Sequence, residues 1–158
     1  ATAGVDVEAV DVCARAVEVM ERRGVSARQG SMWDLGSLEA FSTILLLMNT
    51  AGVVGSLPRL RKLLVQLHAA TVPSCAVLLD VSPPEWPAVH AAARRRRDPL
   101  PGGSFAEEEW ATLRCWLTLG SVAGKPFQML FAEAWVVAAA AREAGWRASI
   151  VTEDPQTR

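Results

Sequence analysis

The chain has 158 residues, 51% of them hydrophobic, and a net charge of −1, enough for one domain with a real core and too apolar to stay disordered. That charge balance gives no electrostatic case for nucleic acid. No apolar run approaches the roughly 18 residues of a membrane span and the N-terminus has no basic-then-apolar signal, so a cytoplasmic protein without a membrane anchor is expected.

The opening stretch, residues 2–7, reads as the end of a strand, with Asp6 near its carboxyl end. Helical periodicity follows at once. Val10, Cys13, Ala14, Val17 and Met20 fall on one face, and Glu8, Asp11, Arg15, Glu18 and Glu21 on the others. Gly24 after Arg22 and Arg23 predicts the helix stop. Residues 25–29 form a short polar strand candidate leading into the turn-rich Gly30-Ser31-Met32-Trp33-Asp34.

Residues 42–48 are an almost unbroken apolar run, the pattern of a strand covered on both faces. It breaks at Asn49, with Gly52 and Gly55 close behind. Ser56, Leu57 and Pro58 predict a helix start. Leu57, Leu60, Leu63, Leu64 and Leu67 supply its buried stripe, while Arg59, Arg61 and Lys62 face water. Pro73 ends that segment, and residues 75–81 read as a second buried strand closed by Asp80, Ser82, Pro83 and Pro84.

Residues 83–106 hold five prolines, Arg94 to Arg97 and a Gly-Gly pair, which predicts a loop with a short helix over 88–95. Residues 111–119 alternate as a strand does, Gly120 to Gly124 with Pro126 marks a turn, and 127–131 is apolar without a decisive period. An Ala-rich helix over 132–144 stops at Gly145, and 146–152 is a final strand candidate. Strands and helices alternate, so the expected fold class is α/β with a mostly parallel sheet. Cys13, Cys75 and Cys115 lie far apart without a CxxC. Free thiols in a reducing compartment follow, and no metal site is expected.

Asp6, Ser31/Met32, Asn49/Thr50 and Asp80 each end or follow a candidate strand, and open α/β sheets bind ligands beyond the strands' carboxyl ends. An acid there can accept hydrogen bonds from two ribose hydroxyls, which an apolar residue cannot. These residues alone point to a nucleoside-like ligand.

From Gly4-Val5-Asp6-Val7 onward the chain resembles the class I S-adenosylmethionine-dependent methyltransferases. The resemblance runs through Gln29-Gly30-Ser31, Phe41 to Asn49, Val77 to Asp80, Gly124 to Phe127 and Gly145-Trp146, with residues 45–55 the most specific piece. It implies a Rossmann-like sheet with helices on both faces and a single methyltransferase-like domain over 1–158, the C-terminal two-thirds to three-quarters of the usual fold. It also implies S-adenosylmethionine as cofactor. By position, Asp6 would be the ribose-binding acid and Val7 a further cofactor-binding residue, Ser31 and Met32 would border the adenine, and Asn49 and Thr50 would lie beside the methionine moiety and substrate.

The family's first strand and its GxGxG loop do not occur in these 158 residues. Ser31 and Ser42 stand where the family often has aspartates. A partner chain or a second copy is therefore expected to complete the sheet.

The implied reaction is methyl transfer to a small-molecule acceptor by in-line positioning, with no obligatory catalytic residue. The alternative is a non-catalytic module or one half of a split enzyme. A nicotinamide-dependent oxidoreductase shares the ribose acid but lacks GxGxxG. His68, His90 and Arg94 to Arg97 read as solvated groups before they read as a base or an anion clamp. The six tryptophans are mainly core, with Trp33 and Trp86 the pocket candidates.

Overall fold

Asp11 marks the first change of direction. In the computed structural model, which describes residues 4–83, 110–116, 118–119 and 121–151, strand β1 is Glu8–Asp11 and helix α1 is Ala14–Arg22. Asp11 Oδ1 accepts the Cys13 N–H at 2.7 Å, turning strand into helix. The strand expected over 2–7 is corrected: Thr2 and Ala3 lie outside the described residues, and 5–7 carry no regular structure. Helical spacing reached back through Glu8 because Val10 and Cys13 satisfy both patterns. What makes 8–11 a strand is a partner, β2 (Ser26–Gln29), which pairs with it in parallel from Glu8↔Ser26 to Asp11↔Gln29.

Helix α1 ends as Gly24 predicts. Gly24 takes φ +74°, and the N–H groups of Gly24 and Val25 bond to the carbonyls of Glu21 and Met20, a Schellman closure. The Arg28–Glu8 ion pair at 2.6 Å is well exposed and contributes little. Residues 1–38 form one compact unit and 39–158 a second.

In the second unit, β3 (Thr43–Leu46) and β4 (Ala76–Leu79) pair in parallel, Thr43↔Ala76 to Leu46↔Leu79. Their crossover holds a 3-10 turn (Thr50–Val54) and helix α2 (Leu57–Ala70). Leu57, Leu60, Leu63, Leu64 and Leu67 are all buried, as their spacing predicts. Strand β3 is shorter than the apolar run because Met48 and Asn49 adopt positive φ. Coverage on both faces is also corrected: Leu46 is buried, but Leu45 and its partner Leu78 are exposed among the described residues.

The remaining strands are antiparallel. Strand β5 (Trp110–Cys115) pairs with β8 (Phe127–Ala132), and β6 (Thr118–Leu119) with β7 (Val122–Ala123). Two parallel and two antiparallel pairs thus replace the mostly parallel sheet among the described residues. Leu113 and Phe131 pack with Ala111, Cys115 and Met129. The loop and helix expected near 88–95, with Trp86, His90 and Arg94 to Arg97, lie outside the described residues.

Helix α3 (Ala134–Glu143) packs on α2 and stops at Gly145, φ +97°. Trp146 Nε1 donates to the Leu64 carbonyl at 2.9 Å, and its ring meets His68 edge-on at 5.2 Å. No strand forms over 146–151. The chain is tied to helices instead, since the Arg142 guanidinium binds the Ala148 carbonyl twice; Thr152 lies outside the described residues.

All three cysteines are unpaired. Burial pushes the Cys75 and Cys115 thiols above the ordinary cysteine range, while Cys13 is exposed. Since the thiolate is the nucleophile, iodoacetamide at mild pH is expected to label Cys13 first and the other two slowly. Mass spectrometry of the time course checks this, and three equal rates would contradict the packing.

Candidate functional site

Each unit presents a carboxyl edge. In the first, β1 and β2 end side by side at Asp11 and Gln29. The Gly30 N–H bonds to the Asp11 carbonyl at 3.0 Å, and Gln29 Nε2 to the Val12 carbonyl at 3.0 Å. This brings Ser31 and Met32 to the same edge as Asp11. Ser31 Oγ accepts the Trp33 N–H at 3.2 Å, so its hydroxyl shapes the turn and retains one hydrogen to donate. Both Ser31 and Met32 are half-buried.

Asp6 and Val7 are exposed and precede β1, at the end opposite this edge. The expected place of Asp6 at a strand's carboxyl end is therefore corrected, and the acid found there is Asp11. It is half-buried, and its Oδ2 has no partner among the described residues. The signal was present in the sequence: Ala9-Val10-Asp11 is an apolar pair closed by an acid just before the periodic helix. The helical period extends back to Glu8 and masks it.

The second edge is built around Asn49. Its side chain turns inward, 8% exposed, with Oδ1 accepting the Ser82 N–H at 3.4 Å. Asp80, one residue past β4, accepts the N–H of Asn49 at 2.8 Å and of Met48 at 3.1 Å. Thr50 donates its hydroxyl back to the Leu47 carbonyl. Asn49 and Thr50 are thus brought together with Asp80 and Ser82, and their side chains serve the turn. What the turn presents outward is Met48, 91% exposed, a residue whose place in the apolar run predicts burial instead.

The hairpin β5–β8 borders the same edge. The Ala132 N–H bonds to the Ser82 carbonyl at 3.0 Å, and Ala132 pairs with Trp110. Trp110 Nε1 and Thr112 Oγ1 are buried without a hydrogen-bond partner among the described residues. Alternate positions on a strand share a face, so the two polar groups lie on one side of β5.

No family model and no curated protein matches this sequence. Solved structures do. An S-adenosylmethionine-dependent methyltransferase from Bacteroides fragilis, in complex with S-adenosyl-L-homocysteine, is 28% identical with a TM-score of 0.70, over 97% of this chain and 60% of that one. The chain has the class I S-adenosylmethionine-dependent methyltransferase fold. Two further structures share the methyltransferase fold. The CcbJ methyltransferase from Streptomyces caelestis is 15% identical with a TM-score of 0.56, over 91% of this chain and 65% of that one. A methyltransferase from Clostridium acetobutylicum is 8% identical with a TM-score of 0.56, over 89% and 63%. The α/β, Rossmann-like class follows from these neighbours. The chain spans about three fifths of the length of the methyltransferases it resembles.

Proposed function

We propose that the protein binds S-adenosylmethionine and takes part in methyl transfer to a small-molecule acceptor. The observation that carries this is 28% identity over 97% of the chain to a methyltransferase in complex with S-adenosyl-L-homocysteine. The residues present suit the ligand. Asp11 stands at a strand's carboxyl end with one oxygen uncommitted, the arrangement that receives ribose hydroxyls in open α/β sheets. In this reading Asp11 takes the role expected of Asp6. Ser31 and Met32 border the base from the same edge, Ser31 through its remaining hydroxyl hydrogen. Asn49 and Thr50 act beside the ligand by shaping the turn.

When bound, the cofactor supplies a methyl group already activated on a sulfonium. The protein's part is to bind, align the acceptor and exclude water. Trp110 and Thr112 are donors still to be satisfied, and we assign them to the acceptor side.

Each parallel pair has only two strands among the described residues, and isolated two-stranded sheets are marginal in water. We therefore take each pair, in its own unit, to gain further strands from a partner chain or a second copy.

Calorimetric titration with S-adenosylhomocysteine tests the reading, with the mass in solution recorded alongside. Binding is expected, and Asp11→Ala should weaken it by about tenfold or more, the worth of hydrogen bonds to a charged group. Full affinity in Asp11→Ala would remove the carboxylate from the site. No binding by the folded protein would overturn the function proposed.

A further inference from the structure

Met48 at φ +61° and Asn49 at φ +56° are the non-glycine residues with positive φ among the described residues, and they are consecutive. Asparagine tolerates that region through its short polar side chain, but methionine has no such compensation. Two carboxylate bonds hold the pair: Asp80 Oδ2 to the Met48 N–H and Oδ1 to the Asn49 N–H. The Asp80 N–H itself bonds to the Leu46 carbonyl at 3.3 Å, so the clamp joins the carboxyl ends of neighbouring strands.

The product of this strain is an apolar side chain standing 91% exposed. Burial within the chain does not explain that placement. Strained backbone that presents a side chain at a ligand-binding edge is characteristic of functional sites.

We propose that Asp80 is a positioning residue for ligand binding: it holds the Met48–Asn49 turn so that Met48 forms an apolar contact with the bound S-adenosyl ligand. This rests on the function proposed above. Each Asp80 oxygen accepts one backbone N–H of the turn, and holding that turn is the part Asp80 plays here.

The test uses the whole protein with its methionine methyl groups isotopically labelled. S-adenosylhomocysteine affinity, melting temperature and methyl spectra are recorded for the wild type, Asp80→Asn, Met48→Gly and the double variant. In the wild type the ligand is expected to shift the Met48 methyl signal, assigned by its absence from Met48→Gly.

Asp80→Asn keeps the shape but sets an amide NH2 against a backbone N–H, and affinity should fall by about tenfold or more. Glycine adopts positive φ freely, so Met48→Gly should melt no lower than the wild type yet bind more weakly. The double variant should recover melting temperature over Asp80→Asn without recovering affinity.

If the wild type binds but Asp80→Asn and Met48→Gly stay within about twofold of it, or the Met48 signal does not move, this proposal fails and the cofactor reading stands. If the wild type shows neither heat nor shift, both fall. Should Asp80→Asn not fold, Met48→Gly decides alone.

Discussion

Gly52→Ala is expected to destabilise the protein by about 3 kcal/mol, at the upper end of the cost of overpacking a tight site. A Cβ at position 52 stands 2.5 Å from the Leu130 carbonyl oxygen, 2.7 Å from Asn49 Oδ1 and 2.9 Å from Asn49 Cγ. None of these can retreat cheaply. Leu130 is 1% exposed in the middle of β8. Asn49 is fixed by its own bond to Ser82 and by Asp80. The melting temperature should fall by roughly 6–12 °C. Val53→Ala is the control, since Val53 is half-exposed in the same turn and should cost little. An unchanged melting temperature in Gly52→Ala would mean that the turn and β8 do not approach as described.

Leu60→Ala is expected to cost about 2–5 kcal/mol, the range for removing a fully buried leucine side chain. Leu60 has no exposed surface and lies among Leu57, Leu63 and Leu64, all at 1% or less. Helix α2 packs on both α3 and the 3-10 turn, so a cavity beneath it loosens two contacts together. Denaturant unfolding checks the size of the loss, which should appear as a lower midpoint at unchanged slope. Val65→Ala on the exposed side of the helix should stay within about 0.5 kcal/mol. Equal costs at 60 and 65 would contradict the assigned stripe.

How far the sequence carried depended on whether a pattern was local. The leucine stripe of α2 and the stops at Gly24 and Gly145 depend on spacing and on one backbone angle each, and all were legible. Strand β1 was not. Glu8 to Asp11 is a strand because Ser26 to Gln29 lies alongside, and no window around position 8 contains that partner. Residues 127–131 were undecided for the same reason, becoming β8 through their pairing with β5. The final strand candidate failed in the opposite sense: 146–151 has strand composition but is held by Leu64 and Arg142.

The candidate site divides along the same line. That the chain turns at Asn49 beyond an apolar strand was readable. The inward turn of the Asn49 side chain was not, because it depends on Ser82, 33 positions away. The acid of the first edge was displaced from Asp11 to Asp6 by the same misplaced strand boundary.

The turn after β3 also specifies a search pattern for relatives. Asparagine at 49 supplies both a left-handed backbone and the oxygen that Ser82 uses. Glycine at 52 is required by space, and Gly55 by its φ of +88°. Asp80 is needed for its two acceptors. Val53, half-exposed, carries no comparable demand. A pattern that fixes asparagine, glycine and glycine at intervals of three, then an aspartate after the next buried strand, selects for this turn's mechanics and leaves overall similarity free to drift.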